Sequence, residues 1–163
     1  MRAIVYRRFG PASQVLTFEE CSTPLPQDGE VLVKIAFSGA NPSDVKSRAG
    51  IRPGVTKPPY DMVIPHSDGS GIIEAVGSGV DEKRIGERVW IWNGQWGRAL
   101  GTAAEYIALP SDQAVEMPSA MSFESGATLG IPGLTAAHCV FGGGDVKDQT
   151  VLISGGAGSV AHN

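Results

Sequence analysis

The most constraining feature of this chain is its last stretch, where a short apolar run meets a glycine turn. Val151, Leu152 and Ile153 form the run, and Gly156-Ala157-Gly158-Ser159-Val160-Ala161 fits G-x-G-x-x-G/A. Strand, glycine turn and helix start, in that order, open a βαβ unit of parallel sheet. Such a turn brings backbone N–H groups to a pyrophosphate, and the helix N-terminus behind it supports the anion. Gly156 and Gly158 are therefore candidate cofactor-binding positions. Taken alone, the pattern also describes an ordinary turn after a strand. Its weight comes from the residues before it. After Ala161 only His162 and Asn163 remain, so the chain is expected to hold a single turn of the next helix. It offers no second strand and no later acidic residue to hold a ribose.

Composition narrows the class. Of 163 residues, 42% are hydrophobic and 18% charged, which is a globular rather than a disordered balance. The 22 glycines and 11 prolines favour many turns between short strands. A net charge of −4 with no basic block argues against a nucleic-acid partner. No apolar run approaches the roughly 18 residues of a membrane span. Ala3 to Tyr6, ahead of Arg7-Arg8, is too short for a signal-peptide core. Cys21 and Cys139 form no C-x-x-C and no disulfide framework, so a cytoplasmic location is expected.

Most of residues 1–117 read as strands. Ala3 to Tyr6 is one run, and Val15 to Glu19 alternates. Val31, Val33, Ile35 and Phe37 share one face of a longer strand, with Lys34 opposite. Gly71 to Val76, Arg88 to Trp92 and Ala103 to Leu109 add three more. Strands at this spacing, broken by Gly and Pro, predict a closed or partly closed β-barrel. Two segments depart from it. Asn41 suits an N-cap, Pro42 the first helical position, Asp44 the positive helix end and Gly50 a left-handed C-terminal residue, which predicts a short helix from Pro42 to Ala49. Ser122 to Val140 has helical periodicity interrupted at Pro132-Gly133, which predicts two short helices.

These segments carry a resemblance. Gly39-Ala40-Asn41-Pro42-Ser43-Asp44, Arg48-Ala49-Gly50, Ser67-Asp68-Gly69-Ser70-Gly71, Glu74-Ala75-Val76-Gly77, Gly86-Glu87-Arg88-Val89, Thr102-Ala103-Ala104-Glu105-Tyr106, Gly130-Ile131-Pro132, Leu134-Thr135-Ala136 and the final glycine turn run in family order through nearly the whole chain. In them the chain resembles the zinc-free quinone oxidoreductases of the medium-chain dehydrogenase/reductase superfamily. The resemblance implies a mainly β fold with short helices. Residues 1–120 would be a GroES-like, partly closed barrel. Residues 121–163 would be the connecting helices and the first strand and glycine turn of an incomplete Rossmann domain. It also implies a homodimer for the intact protein, formed through the Rossmann domain.

Zinc-dependent members of the superfamily place Cys near the position of Asn41 and a His-Glu pair near Ser67-Asp68. Catalytic zinc takes three protein ligands and keeps an open position, and Asn41 and Ser67 are poor ligands. The four closely spaced cysteines of the structural zinc lobe are missing between Cys21 and Cys139. No zinc is expected. His66 stands where the zinc-free enzymes usually have Gly. On a strand, His66 and Asp68 would share a face; otherwise His66 is a hydrogen-bonded residue at a turn beside Pro65.

Without a metal, hydride transfer belongs to a nicotinamide and the protein supplies binding and orientation. The resemblance implies NADPH, with NADH not excluded, and a small quinone or enone as acceptor. It places Asn41 and Asp44 at the nicotinamide-ribose end and Thr135 as a cofactor-facing hydroxyl on the connecting helix. Their structural alternatives are an N-cap, a first-turn charge and a buried Thr bonded to a helix carbonyl. Tyr60, Trp92 and Trp96 are the substrate candidates, since aromatic rings stack on a quinone; they equally fill cores and loop bases. Lys46 and Arg48 read as a solvated helix face. An enoyl reductase of the same superfamily and a non-catalytic GroES-like binding module are the alternative functions. By itself the 163-residue chain is expected to be inactive.

Overall fold

The computed structural model describes residues 1–51 and 53–161. Strand β1 (Arg2–Val5) pairs antiparallel with β2 (Thr17–Glu20), and the one-turn helix α1 (Ala12–Val15) lies between them. Strands β3 (Glu30–Gly39), β4 (Asp68–Val76), β5 (Arg88–Ile91), β6 (Tyr106–Pro110) and β7 (Ala114–Glu116) form an antiparallel sheet in the order β6-β3-β4-β5-β7. Helix α2 (Pro42–Ala49) follows β3 directly. After β7 come α3 (Phe123–Gly126), a π-helical turn (Leu129–Gly133) and α4 (Leu134–Phe141). The fold is mainly β with short helices, as expected of a GroES-like chain. Isolated bridges join Ala3 of β1 to Ala104 just before β6, Tyr6 to Val63, and Ile64 to Leu100. The strands do not close a hydrogen-bonded barrel among the described residues.

The core follows from strand alternation. Val31, Val33, Ile73, Val89, Ile91, Ile107 and Leu109 are wholly buried against one another. A second cluster joins Ala3, Val5 and Ile64, and a third joins Tyr6, Val15 and Val63. Burying one such side chain is worth about 1.5–3 kcal/mol, so the sheet region holds its own apolar core.

Several expectations need correction. Val15 closes α1 instead of starting β2, and its side chain is buried there. Phe37 leaves the face of Val31 and Val33 and is 44% exposed. The register of β3 on β4 slips between Ile35 and Phe37, so Ala36 is extra and the side chains beyond it change sides. Strand β7 was not anticipated, being three residues with no alternation to read. Strand β5 ends at Ile91, one residue short of the expected Trp92, and Trp90 and Trp92 are both half-buried. The helical segment breaks at Ala127–Thr128, and Pro132 sits inside the π turn, which runs straight into α4. A proline has no N–H to give and crowds the preceding turn, and a widened π turn absorbs both defects. Finally, Val151–Ile153 is not a strand, and Leu152 is 94% exposed. A parallel strand needs neighbours on both edges, and nothing among the described residues pairs with it.

Helix α2 meets the expectation residue by residue. Asn41 is the N-cap in extended conformation, Pro42 opens the helix, and the Asp44 carboxylate accepts the Asn41 backbone N–H at 2.7 Å. Gly50 ends the helix at φ +71°, and a side chain there would strike the Phe9 ring. Arg48 is not a solvated residue: its guanidinium donates to the Gly10 carbonyl and docks α2 on the loop before α1. Lys46 is exposed, as expected.

Candidate functional site

Three elements converge on one carboxylate. Strand β4 begins at Asp68, which is 1% exposed. Its Oδ2 accepts the Asn41 side-chain amide at 2.7 Å from the N-cap of α2. The same oxygen accepts the Ile131 backbone N–H at 2.8 Å from the π turn. Oδ1 is buried with no partner. Gly130 is packed on it so closely that a Cβ there would lie 2.1 Å from Oδ1. Burial pushes the Asp68 carboxyl up to about 6; the two N–H donors oppose this and the nearby Asp44 charge adds to it. Asp44 is also raised, again by burial first, with the Asn41 backbone N–H working against the rise.

The surroundings hold this arrangement in place. Ser70 Oγ donates to the Phe123 carbonyl at 2.5 Å, which seats α3 on β4. Arg88 stacks 4.6 Å above the Phe123 ring and donates to the carbonyls of Pro118, Ser119 and Met121. The backbone carbonyl of Asp68 accepts from Thr102 Oγ1 at 2.6 Å. That hydroxyl has one proton, so at its 2.9 Å contact with Ser38 it must accept. Ser38 has then spent its own proton, so at 2.9 Å the His66 Nδ1 is the donor. His66 is held as the Nδ1–H tautomer in the loop before β4, at φ +75°, and burial lowers its pKa. It does not share a strand face with Asp68, because β4 starts only at Asp68.

The expected site residues divide into groups. Asn41 and Asp44 are together at the start of α2, within reach of Asp68. Thr135 lies one helical turn beyond Ile131 and donates to the Ile131 carbonyl at 2.5 Å. It is exposed, where the structural alternative had it buried. Gly158 belongs to a separate apolar cavity of about 1000 Å³ between α4 and residues 151–161, with Trp90 in its lining. Gly156 has open space where a Cβ would stand. Trp92 donates to the Asp112 carbonyl at 3.1 Å, Trp96 is 69% exposed, and Tyr60 lies on the surface after Pro58-Pro59. Among the described residues no hydrogen bond or ring contact joins these three rings to Asn41. Among the described residues no group of three or more His, Cys, Asp or Glu side chains is placed to hold a metal ion. No helix among them is long and apolar enough to cross a membrane.

Sequence reasoning passed over Asp68 as a hub and Trp90 as a cavity wall. A signal for Asp68 was present: an acidic residue at the head of Gly69-Ser70-Gly71-Ile72-Ile73, a run too apolar to leave a carboxylate in water.

Comparison with known proteins gives a consistent answer. Residues 27–119, more than half of the chain, match the alcohol dehydrogenase GroES-like domain. Quinone oxidoreductase from Mus musculus is 32% identical over 161 residues, covering 98% of this chain and 46% of the mouse protein. The crystal structure of the human synaptic vesicle membrane protein VAT-1 homolog-like protein superposes with a TM-score of 0.80 at 28% identity, covering 99% of this chain and 50% of that one. Escherichia coli quinone oxidoreductase complexed with NADPH superposes with a TM-score of 0.77 at 28% identity, covering 89% of this chain and 42% of that one. The chain spans about half the length of the curated relatives it matches. It belongs to the alcohol dehydrogenase GroES-like domain family, and the curated proteins it resembles include quinone oxidoreductases.

Proposed function

We propose that this chain is the GroES-like part of an NADPH-dependent quinone or enone reductase that works without zinc. Residues 1–120 form the GroES-like domain. Residues 121–163 connect to a cofactor domain and begin it; His162 and Asn163 lie outside the described residues. The observation that carries the reading is the polarity of the groups around the π turn. Asn41 has its amide nitrogen on Asp68, and its oxygen, which faces the Asp44 backbone N–H in a capping box, keeps a second lone pair for another donor. Asp44 keeps acceptor capacity beyond the Asn41 N–H. Thr135 has given its proton to the Ile131 carbonyl and offers only lone pairs. Three acceptors fit the hydroxyls of a nicotinamide ribose and the carboxamide N–H groups. Gly156 and Gly158 would serve the pyrophosphate, and Tyr60, Trp92 or Trp96 the acceptor ring. When bound, the nicotinamide supplies the hydride; the residues named here bind and orient it.

The same donor set supports the zinc-free reading. The positions that face the cleft in zinc-dependent relatives hold Asn41, whose amide is committed to Asp68, and the neutral hydroxyl of Ser67. Quinone oxidoreductase relatives favour this function over an enoyl reductase or a binding module. A cytoplasmic homodimer, paired through the cofactor domain, completes the proposal.

The test is Asn41→Ala in the full-length protein that carries this chain. NADPH-driven quinone reduction should lose about 1–3 kcal/mol of transition-state stabilisation, read from kcat/KM. An unchanged kcat/KM with stability lowered by about 1 kcal/mol would assign Asn41 to helix capping alone. No NADPH oxidation by the unaltered full-length protein would favour the binding module.

A further inference from the structure

We propose that Asp68 is the positioning residue of this site: one carboxylate oxygen fixes the orientation of the Asn41 side-chain amide and, through Ile131, fastens the π turn to the sheet. The proposal deepens the cofactor reading and rests on it only for what Asn41 faces.

The geometry leaves little choice. An amide lying against a carboxylate must present its N–H, because its oxygen would meet negative charge. With the nitrogen end held on Oδ2 at 2.7 Å, the carbonyl end is the one turned away from Asp68. The second donor on Oδ2, the Ile131 N–H at 2.8 Å, comes from a segment 63 residues further along the chain. One atom therefore sets both the polarity of Asn41 and the seat of the turn that leads to Thr135. Gly130 completes the device. Its missing side chain lets the turn close over Oδ1, which shuts water out and leaves that oxygen without a donor.

A carboxylate in this position is costly to ionise, and that distinguishes positioning from simple support. The proton is retained up to about pH 6, and burial is the main cause. Protonation relieves the buried charge but weakens Oδ2 as an acceptor, so it relaxes the hold on Asn41 and Ile131 while favouring the fold. Among the described residues the groups that face Asp68 are Asn41 and Asp44 from α2 and the Gly130 and Ile131 backbone from the π turn, with Thr102 on its carbonyl. Asp44 is the charge among them.

The experiment is an NMR titration of the ¹⁵N-labelled chain from pH 4 to 8, without cofactor. The Asn41 side-chain amide and the Ile131 backbone amide should move together, with one midpoint near pH 6. Asp44→Asn should move that midpoint down and keep it shared, because the Asp44 charge contributes to the rise. Asp68→Asn keeps shape and an acceptor, and should abolish the shared transition. Asp68→Ala should bring the Asn41 amide protons to the shifts and exchange rates of a solvent-exposed amide. Separate midpoints, or a shared transition that survives in Asp68→Asn, would overturn the proposal. The readout needs no NADPH, so failure of the cofactor reading leaves it standing, and its own failure leaves the Asn41→Ala kinetics to be judged separately.

Discussion

The sheet region and the segment after it use similar apolar residues to opposite effect. In residues 1–117, Val31, Val33, Ile107 and Leu109 lose all contact with water. In residues 118–161, Phe141 is 63% and Leu152 94% exposed. Side-chain hydrophobicity does not separate the two. The sheet region contains both strands of every pair that buries its core, while α4 and Val151–Ile153 leave an open cavity between them. The two regions meet along β4 and β5, where Asp68 holds the π turn through Ile131, Ser70 holds α3 through Phe123, and Arg88 holds the residues between β7 and α3. Apolar residues stabilise only where the chain also encodes what lies against them.

That contrast can be broken most directly at its extremes. Ile107→Ala should cost about 2–5 kcal/mol, the usual range for emptying a full core position. Leu152→Ala should stay within about 0.5 kcal/mol, as for surface positions. Urea unfolding of both variants decides it. Equal losses would mean that residue 152 is packed in solution and that the two regions do not differ.

Two glycines sharpen the comparison. A Cβ on Gly130 would collide with Asp68 Oδ1, and one on Gly156 would meet nothing within 4 Å. Gly130→Ala should therefore destabilise by about 1–3 kcal/mol as an overpacked contact, and Gly156→Ala by less than about 0.5 kcal/mol. Thermal or urea unfolding should rank them so. The reverse order would place the tight seam at the glycine turn.

The last test is a slope. Asp68 titrates near 6 in the folded chain against an ordinary 3.8. Between those values the folded state keeps a proton that the unfolded state has released, so stability falls as pH rises through the window and levels off above it. Asp44, also raised, adds in the same sense. Unfolding midpoints measured from pH 4 to 7 should show a shallower fall in Asp68→Asn than in the unaltered chain. Identical slopes would remove Asp68 from the account of the seam.

Much of the fold was legible because its signals are local. Helix α2 could be placed from Asn41, Pro42, Asp44 and Gly50, since each satisfies a need of a helix end without outside help. The central strands could be placed from alternation, since a half-buried strand repeats every two residues. The errors fall where a neighbour decides. Phe37 turns outward because of a bulge that exists only in the pairing of β3 with β4. Val151–Ile153 has the composition of a buried strand and no partner to make it one.

The candidate site divides along the same line. Asn41, Asp44 and Thr135 were marked by type and order along the chain, and the sequence alone determined that a helix N-terminus would present the first two together. Only the tertiary structure decided which atoms remain free. A hydrogen bond spends a donor or an acceptor on one partner, and the partners of Asn41 and Asp68 lie 27 residues apart, those of Asp68 and Ile131 63 residues apart. Residue type tells what a group can offer; the fold, by bringing distant groups to 2.7 or 2.8 Å, decides what it has left to give.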